Sequence, residues 1–282
     1  MSFQRHCWFK ALVKMKRILY SGILLCLPLI LSACSSFGDN TKTSIAKDIQ
    51  NIKFSSRSSQ QRVVIFSHGI HRPSVEICND FNNKPPRSLM ALVDNKTLVY
   101  HFCSSAIESP LSPGKQVYLR RIEIDHAIDA FLARGIQPKH LFLAGHSNGA
   151  WTSLMMMRDV NQRFNGVIAF APGFSGKRSD VRIAPWWRNK VRPKQIKEML
   201  KATSMDALVF SYENDAYNRP QDLQFLRKNY PLKTVNNKLT GVDLVSYDCG
   251  LKNAHLTYRN DCRLKETTSR IRLFVNDQIN TW

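Results

Sequence analysis

The sequence predicts an α/β protein whose central sheet is mainly parallel and carries helices on both faces. Short apolar runs alternate with stretches of helical periodicity, an order that is typical of parallel strands joined by right-handed crossovers. Over residues 139–157 a buried strand, a tight turn and an apolar helix follow one another directly. About 220 residues follow position 60, which is enough for one such domain with a sizeable core.

The individual elements are indicated by their apolar patterns. Besides the central strand, apolar runs predict strands over residues 62–67, 97–102, 166–171, 207–212 and 242–247. Helical periodicity predicts helices over residues 117–133, 193–202, 220–228 and 266–279. In sheets of this kind, sites form beyond the carboxyl ends of the strands.

The turn between the central strand and its helix contains the pattern Gly145-x-Ser147-x-Gly149. Both glycines meet a steric need, because a turn this sharp brings strand and helix so close that a side chain at either position would collide with a neighbour. Ser147 is therefore expected at the carboxyl end of the strand. The first amides of the helix point at the same place, where negative charge would collect during acyl transfer.

This motif, between its strand and its helix, resembles the alpha/beta-hydrolase family of serine hydrolases, which includes esterases and lipases. The resemblance covers residues 61–282 and implies an alpha/beta-hydrolase fold, with a triad in the chain order nucleophile, acid, histidine. Ser147 matches the nucleophile. Of the eight histidines, only His255 lies late in the chain, after the last predicted strand, so the family order selects it as the base.

The acid of the triad is expected just after the predicted strand that ends at Tyr212. The resembling family commonly has Gly-x-x-Asp at this point, and the sequence matches it at Asp215 with Tyr212 in place of the glycine. Asp215 is therefore preferred and Glu213 remains open as the alternative. Asp243 and Asp248 fit less well, because they lie in or beyond the final strand.

The resemblance also implies an oxyanion hole made of two backbone amides. One belongs to Asn148, the residue after the nucleophile, and the other to Ile70, in a His-Gly-x turn that follows the first strand. In that turn His68 is expected to support the loop and not to react. The triad needs no cofactor, so none is expected.

The start of the chain predicts export. A basic start, an apolar run over residues 18–31 and small residues before Cys34 are typical of a signal peptide over residues 1–33. The sequence Leu-Ser-Ala ahead of Cys34 resembles a bacterial lipoprotein processing box, which implies that this thiol is lipidated. In the lipoproteins that this box resembles, an Asp after the Cys retains the protein in the inner membrane, so Ser35 in that position implies the outer membrane, with the protein facing the periplasm. A plain signal anchor and a true start at Met15 remain open.

Charge and composition limit the partners of the exported chain. Residues 34–60 are rich in polar side chains and are predicted to be a tether, with the catalytic domain over 61–282. Removal of the predicted signal, which holds five basic residues and no acidic one, leaves a net charge of +15. Such charge favours an anionic membrane surface, whereas no nucleic-acid recognition motif is visible. A solvated basic surface is the simpler interpretation.

The cysteines agree with an oxidising compartment. Four remain outside the predicted signal and the lipidation site, and two local disulfides, Cys78–Cys103 and Cys249–Cys262, are the favoured pairing. Four free thiols are the alternative. The spacing of Cys and His does not match a metal site.

The sequence therefore predicts a lipid-anchored periplasmic serine hydrolase that acts on a small-molecule or lipid ester, a thioester or an amide. A binding module that no longer uses its triad, or an acyltransferase with the same site, are the alternatives. Substrate choice depends on two loops, residues 104–116 and 174–192. The second, with Trp186 and Trp187 among basic residues, is interpreted as a lid, a lipid-facing patch or ordinary packing.

Overall fold

The computed structural model describes the greater part of the chain from residue 42 onward. The described ranges are 42–54, 57–69, 78–106, 114–159, 163–174, 177–178, 187–235, 238–252, 254–259 and 262–282. Several predicted features lie outside them: the signal at 1–33, the lipidation site Cys34 with Ser35, the oxyanion residue Ile70, and Trp186.

Eight strands are present among the described residues. They are β1 (Arg62–Ser67), β2 (Thr97–Phe102), β3 (Leu141–His146), β4 (Gly166–Phe170), β5 (Ala207–Tyr212), β6 (Lys233–Val235), β7 (Lys238–Thr240) and β8 (Val242–Tyr247). Six of them form one sheet in the order β2-β1-β3-β4-β5-β8, and every neighbouring pair in it is parallel. The predicted parallel sheet is confirmed, and the antiparallel hairpin of β6 and β7 is an addition that the apolar pattern did not indicate.

Seven α-helices connect or flank the strands in the described ranges. They are α1 (42–50), α2 (Arg87–Met90), α3 (Lys115–Ala133), α4 (Asn148–Met156), α5 (Arg192–Met199), α6 (Pro220–Asn229) and α7 (Leu264–Asn280). A π-helical turn, Trp187–Val191, leads into α5. Across these ranges, every helix is too short or too polar to cross a membrane.

The core forms two apolar layers, one on each face of the sheet. Consecutive residues of a strand point to opposite faces. Val63 and Ile65 of β1 pack in one layer with α3 and α4, while Val64 and Phe66 pack in the other with α7. Helices therefore cover both faces, and in a parallel sheet of this kind a site is expected beyond the carboxyl ends of the strands.

The described part of the predicted tether, residues 34–60, does not form a free linker. Ile45 and Ile49 of α1 are 8% and 0% exposed and belong to the core layer of α3 and α4. Arg134 holds this segment in place, with its side chain donating to the carbonyl of Ile49 and its guanidinium 4.0 Å from the ring centre of Phe54. The expectation of a tether up to residue 60 is corrected, because two isoleucines four residues apart suffice to dock a helix that is otherwise polar.

Candidate active site

Ser147 occupies a sharp turn between β3 and α4. Its backbone has φ 53° and ψ −118°, a conformation that residues other than glycine rarely adopt. The amide of Ser147 donates to the carbonyl of Phe170 in β4 at 3.0 Å, and its carbonyl accepts from the amide of Trp151 at 2.9 Å. The neighbouring strand and the helix together hold the strained turn.

The two glycines beside Ser147 lie against backbone atoms. A Cβ on Gly145 would be 2.4 Å from the carbonyl carbon of Gly149, and a Cβ on Gly149 would be 2.1 Å from the carbonyl oxygen of Ser67. Such distances are far below any real van der Waals contact. The predicted steric need for both glycines is confirmed, and the end of β1 is brought directly against the turn.

Three side chains that are distant in the sequence meet at this turn. Nε2 of His255 lies 2.8 Å from the hydroxyl oxygen of Ser147, and Nδ1 lies 2.9 Å from a carboxylate oxygen of Asp215. The exposed fractions of Ser147, His255 and Asp215 are 8%, 6% and 0%. In a neutral imidazole that donates from Nδ1 to the carboxylate, Nε2 is left as the acceptor for the hydroxyl proton.

Asp215, and not Glu213, is the carboxylate that contacts the histidine. Its second oxygen accepts from the amides of Tyr217 at 2.6 Å and Asn218 at 3.3 Å, so the loop after β5 fixes the orientation of the carboxylate. Glu213 is partly exposed and accepts a hydrogen bond from Gln221 at 3.3 Å. Of the two carboxylates that the sequence left open, only Asp215 faces the site.

Tyr212 stands where the resembling family usually has glycine. Its side chain is 2% exposed and its ring centre lies 6.2 Å from that of Tyr247. Burial, followed by the nearby Tyr247 and Asp215, raises the pKa of Tyr212, so the phenol stays neutral. The Tyr212 side chain therefore packs in the core where the family usually has glycine, and Asp215 still contacts His255.

His255 lies on a six-residue 3-10 helix, Ala254–Arg259. The amide of Ala254 donates to the carbonyl of Asn214 at 3.2 Å, which ties the start of this helix to the loop of the carboxylate. The ring of Tyr217 lies 4.2 Å from the imidazole, centre to centre. The loop after β5 therefore contacts the histidine through both its backbone and a side chain.

Both predicted disulfides are present. Cys249 and Cys262, whose Cα atoms are 6.1 Å apart, close the loop that carries His255. Cys78 and Cys103, with Cα atoms 5.8 Å apart, join the segment after the His68 turn to the end of β2. Closing a loop as short as that between Cys249 and Cys262 stabilises a fold by about 3 kcal/mol.

The first residue of α4 is Asn148, which is completely buried. Its amide belongs to the first turn of the helix and therefore has no carbonyl partner within the helix. His68, in the turn that follows β1, donates from Nδ1 to the carbonyl of Gly69 at 2.7 Å and accepts the amide of Ser104 at Nε2, at 3.3 Å. Both ring nitrogens of His68 thus bond the backbone, as expected of a supporting residue.

A buried arginine supports the same turn. Arg120 of α3 is 0% exposed and donates to the carbonyl of His68 at 2.6 Å and to that of Gly69 at 3.4 Å. Burial lowers the pKa of Arg120 to about 10, although the neighbouring Glu123 opposes this. Glu123 itself accepts the amide of Ser105 at 3.0 Å. The long helix therefore carries a charged cluster directly behind the turn.

Sequence reasoning missed two buried polar residues beside the site, Arg120 and His146. Arg120 continues, at four-residue spacing, the apolar stripe that contains Ile124 and Ile128, so a charge on a buried helix face was the available signal. His146 occupies the variable position of the motif and contacts the backbone of His255. One sequence alone contains no signal for that contact.

In residues 174–192, for which the sequence leaves a lid, a lipid-facing patch and ordinary packing open, the described parts pack against the loop that carries Asp215. Nε of Arg178 donates to the carbonyl of Asp215 at 3.2 Å, and the side chain of Arg188 donates to the carbonyl of Tyr217. Two basic residues of this segment therefore stabilise the loop after β5 by hydrogen bonds to its backbone. No group of three or more His, Cys, Asp or Glu side chains within the described ranges is arranged to hold a metal ion.

In comparisons with known proteins, no protein-family model and no curated protein matches the chain. Solved structures do resemble it. DcsB, in complex with its substrate analogue, superposes with a TM-score of 0.56 at 12% identity, over 78% of this chain and 92% of DcsB.

Two further structures show the same likeness. A prolyl endopeptidase gives a TM-score of 0.54 at 12% identity, over 80% of this chain and 35% of the endopeptidase. The apo form of esterase 2 from Thermogutta terrifontis gives 0.51 at 12% identity, over 79% of this chain and 85% of the esterase. At this identity the likeness concerns the fold alone, and it confirms the predicted alpha/beta-hydrolase fold.

Proposed function

We propose, from the alpha/beta-hydrolase fold of this chain and the geometry at its sheet edge, that the protein is a serine hydrolase acting on a carboxylic ester, a thioester or an amide. One observation carries the proposal. Asp215, His255 and Ser147 form a continuous chain of hydrogen bonds of 2.9 and 2.8 Å at the carboxyl ends of the parallel strands. Nucleophilic catalysis by serine requires this arrangement of carboxylate, imidazole and hydroxyl.

In the first half of the reaction, the hydroxyl of Ser147 attacks the carbonyl carbon of the substrate while Nε2 of His255 takes its proton. The imidazolium that forms is stabilised by the Asp215 carboxylate, which does not itself need to take up the proton. The amides of Asn148 and Ile70 are the proposed donors to the oxyanion. His255 then returns the proton to the leaving group, and the acyl group remains on Ser147.

In the second half, a water molecule gives a proton to His255 and attacks the acyl-enzyme. Collapse of the second oxyanion breaks the bond to Ser147 and releases the carboxylic acid, while His255 returns its proton to the serine oxygen. If an alcohol takes the place of water, the same site performs acyl transfer. The two reactions differ only in the acceptor.

Labelling with a fluorophosphonate probe tests this proposal directly. The wild-type chain is expected to be labelled on Ser147, whereas Ser147→Ala is expected to be unlabelled while it keeps its circular dichroism spectrum and melting temperature. A chromogenic ester series of increasing acyl chain length then measures which acyl group the site prefers. A correctly folded wild-type protein that neither reacts with the probe nor cleaves any ester would leave the binding module as the better interpretation.

We further propose that Cys34 anchors the protein by lipid to the outer membrane, with the catalytic domain in the periplasm. The net charge of +15 beyond the predicted signal favours contact with an anionic bilayer surface. Metabolic labelling with an alkyne fatty acid tests the anchor. The wild-type protein should carry the label in the outer-membrane fraction, and Cys34→Ser should not. An unlabelled wild-type chain in the soluble fraction would contradict the proposal.

A further inference from the structure

We infer that His146, the residue directly before the nucleophile, is a positioning residue that holds the base in register with Ser147. The inference rests on the proposed function, since it concerns how His255 is kept in place. It stands on two separate contacts between His146 and the short helix that carries His255.

The first contact is a hydrogen bond to the backbone of the base itself. Nε2 of His146 lies 2.9 Å from the carbonyl oxygen of His255, and the side chain of His146 is buried. A carbonyl can only accept, so the proton of this hydrogen bond must be on Nε2 of His146. The imidazole thus satisfies a carbonyl group at a position where a missing donor would be costly.

The second contact is a ring stack one helical turn further along. The ring of His146 lies on that of Tyr258, with centres 3.8 Å apart and planes 17° from parallel. Tyr258 follows His255 by three residues on the same 3-10 helix. The hydrogen bond at His255 and the stack at Tyr258 hold the helix at two points, which fixes both its distance from β3 and its orientation.

Such an external hold is needed because the helix has little stability of its own. It is only six residues long and of the 3-10 type, whose hydrogen bonds have poorer geometry than those of an α-helix. The disulfide between Cys249 and Cys262 limits the ends of the loop, but it does not determine where the imidazole points. A shift of about 1 Å at the base can lower the rate of an enzyme by about 100-fold.

His146 links the nucleophile to the base, because its backbone precedes Ser147 and its side chain contacts the helix that carries His255. It is joined to Ser147 by a peptide bond and is the last residue of β3, a central strand of the sheet. The same ring also borders the turn after β1, because a Cβ on Gly69 would lie 3.2 Å from Nδ1 of His146. The buried side chain of His146 therefore contacts both the 3-10 helix that carries His255 and the turn after β1, and its backbone leads directly into the turn that carries Ser147.

The test compares His146→Phe with His146→Gln in the full chain. Phenylalanine keeps a flat ring against Tyr258 but cannot donate to the His255 carbonyl, whereas the glutamine amide can place a donor near the position of Nε2. We expect His146→Phe to lower kcat on a chromogenic ester, and the rate of fluorophosphonate labelling, by about 10- to 100-fold with KM nearly unchanged. His146→Gln keeps a donor but loses the ring stack on Tyr258, so it should recover only the part of this loss that is due to the hydrogen bond.

Two further measurements separate positioning from a general loss of structure. The far-downfield proton resonance of the His255–Asp215 hydrogen bond should shift or broaden in His146→Phe and return in His146→Gln. In a His255→Ala background, His146→Phe should have little further effect, because the group it positions is already gone. If His146→Phe does not fold, Tyr258→Leu provides the second variant, with an expected loss of about 10-fold in kcat.

Equal rates for wild type and a folded His146→Phe would overturn the inference while leaving the proposed function intact. Equal losses in His146→Phe and His146→Gln, together with a wild-type rate in Tyr258→Leu, would also overturn it, since neither the hydrogen bond nor the stack would then account for the loss. A wild-type chain that shows no labelling and no hydrolysis would count against the proposed function itself.

Discussion

The Asp215 carboxylate lies 2.9 Å from Nδ1 of His255, whereas Glu213, two residues earlier, bonds Gln221 at the protein surface. The two carboxylates flank the same turn, yet only one of them reaches the imidazole. Two backbone amides that bind the other oxygen of Asp215 hold it in this orientation. The difference between the two residues leads to a matched pair of variants.

Asp215→Asn is expected to lower kcat by about 10⁴-fold, because an amide that donates to Nδ1 leaves the imidazole in the wrong tautomer to accept the serine proton. Glu213→Gln is the control and should keep nearly the full rate. Both are measured by ester hydrolysis at saturating substrate. A large loss in Glu213→Gln together with a small one in Asp215→Asn would reverse the assignment of the acid.

Gly149→Ala is expected to destabilise the protein by about 1–3 kcal/mol or prevent it from folding, because the added methyl group would meet the carbonyl oxygens of Ser67 and His68 at 2.1 and 2.5 Å. Gly250→Ala is the control. A Cβ at Gly250 has no atom within 4 Å and strains only the backbone, where φ is 66°. Urea denaturation measures both variants, and a Gly149→Ala protein as stable as wild type would show that the turn can relax.

Arg120→Met is expected to lower kcat by about 10-fold or more, because the buried carbonyls of His68 and Gly69 would lose their guanidinium donor and the turn would shift. Arg120→Lys should restore little, since the single ammonium nitrogen of lysine cannot reproduce the planar geometry in which Nη1 and Nη2 of the guanidinium each bond one carbonyl. Arg121→Met removes the same charge from the next position of α3 and serves as the control. If Arg120→Met and Arg121→Met hydrolyse an ester equally fast, the support of the turn does not depend on Arg120.

Acidification is expected to destabilise the fold through His101 of β2. Burial lowers the pKa of His101 below its ordinary value of 6.5, with a smaller contribution from Lys84. The unfolded chain therefore binds the proton more readily than the folded one. Stability that is fully present above about pH 6.5 is lost as the pH falls through 6.5 toward the lower pKa of the folded state.

Denaturation of wild type and His101→Gln at pH 7.5 and pH 5 measures this contribution. The variant cannot take up a proton at this position, so its free energy of unfolding should fall less between the two pH values than that of wild type. Equal losses in the two proteins would assign the acid sensitivity to other groups.

The sequence by itself determined the six strands of the parallel sheet and the helices α3 to α7, the tight turn at Ser147 and the choice of His255. These features depend on local patterns: apolar periodicity, the absence of side chains at Gly145 and Gly149, and the position of one histidine after the last strand. The two disulfides were also predictable, because each joins cysteines that are near one another in the chain. Local rules failed at α1, where two isoleucines in a polar context were enough to dock a helix on the core.

Only the tertiary structure decided which carboxylate contacts His255, and only it brought Arg120 behind the His68 turn and His146 against the base. Each of these relationships joins residues that are 40 to 109 positions apart. The contact of such a pair depends on the twist of the sheet, the stacking of helices and the path of the loops between them. A pattern within a single stretch of sequence does not contain that information.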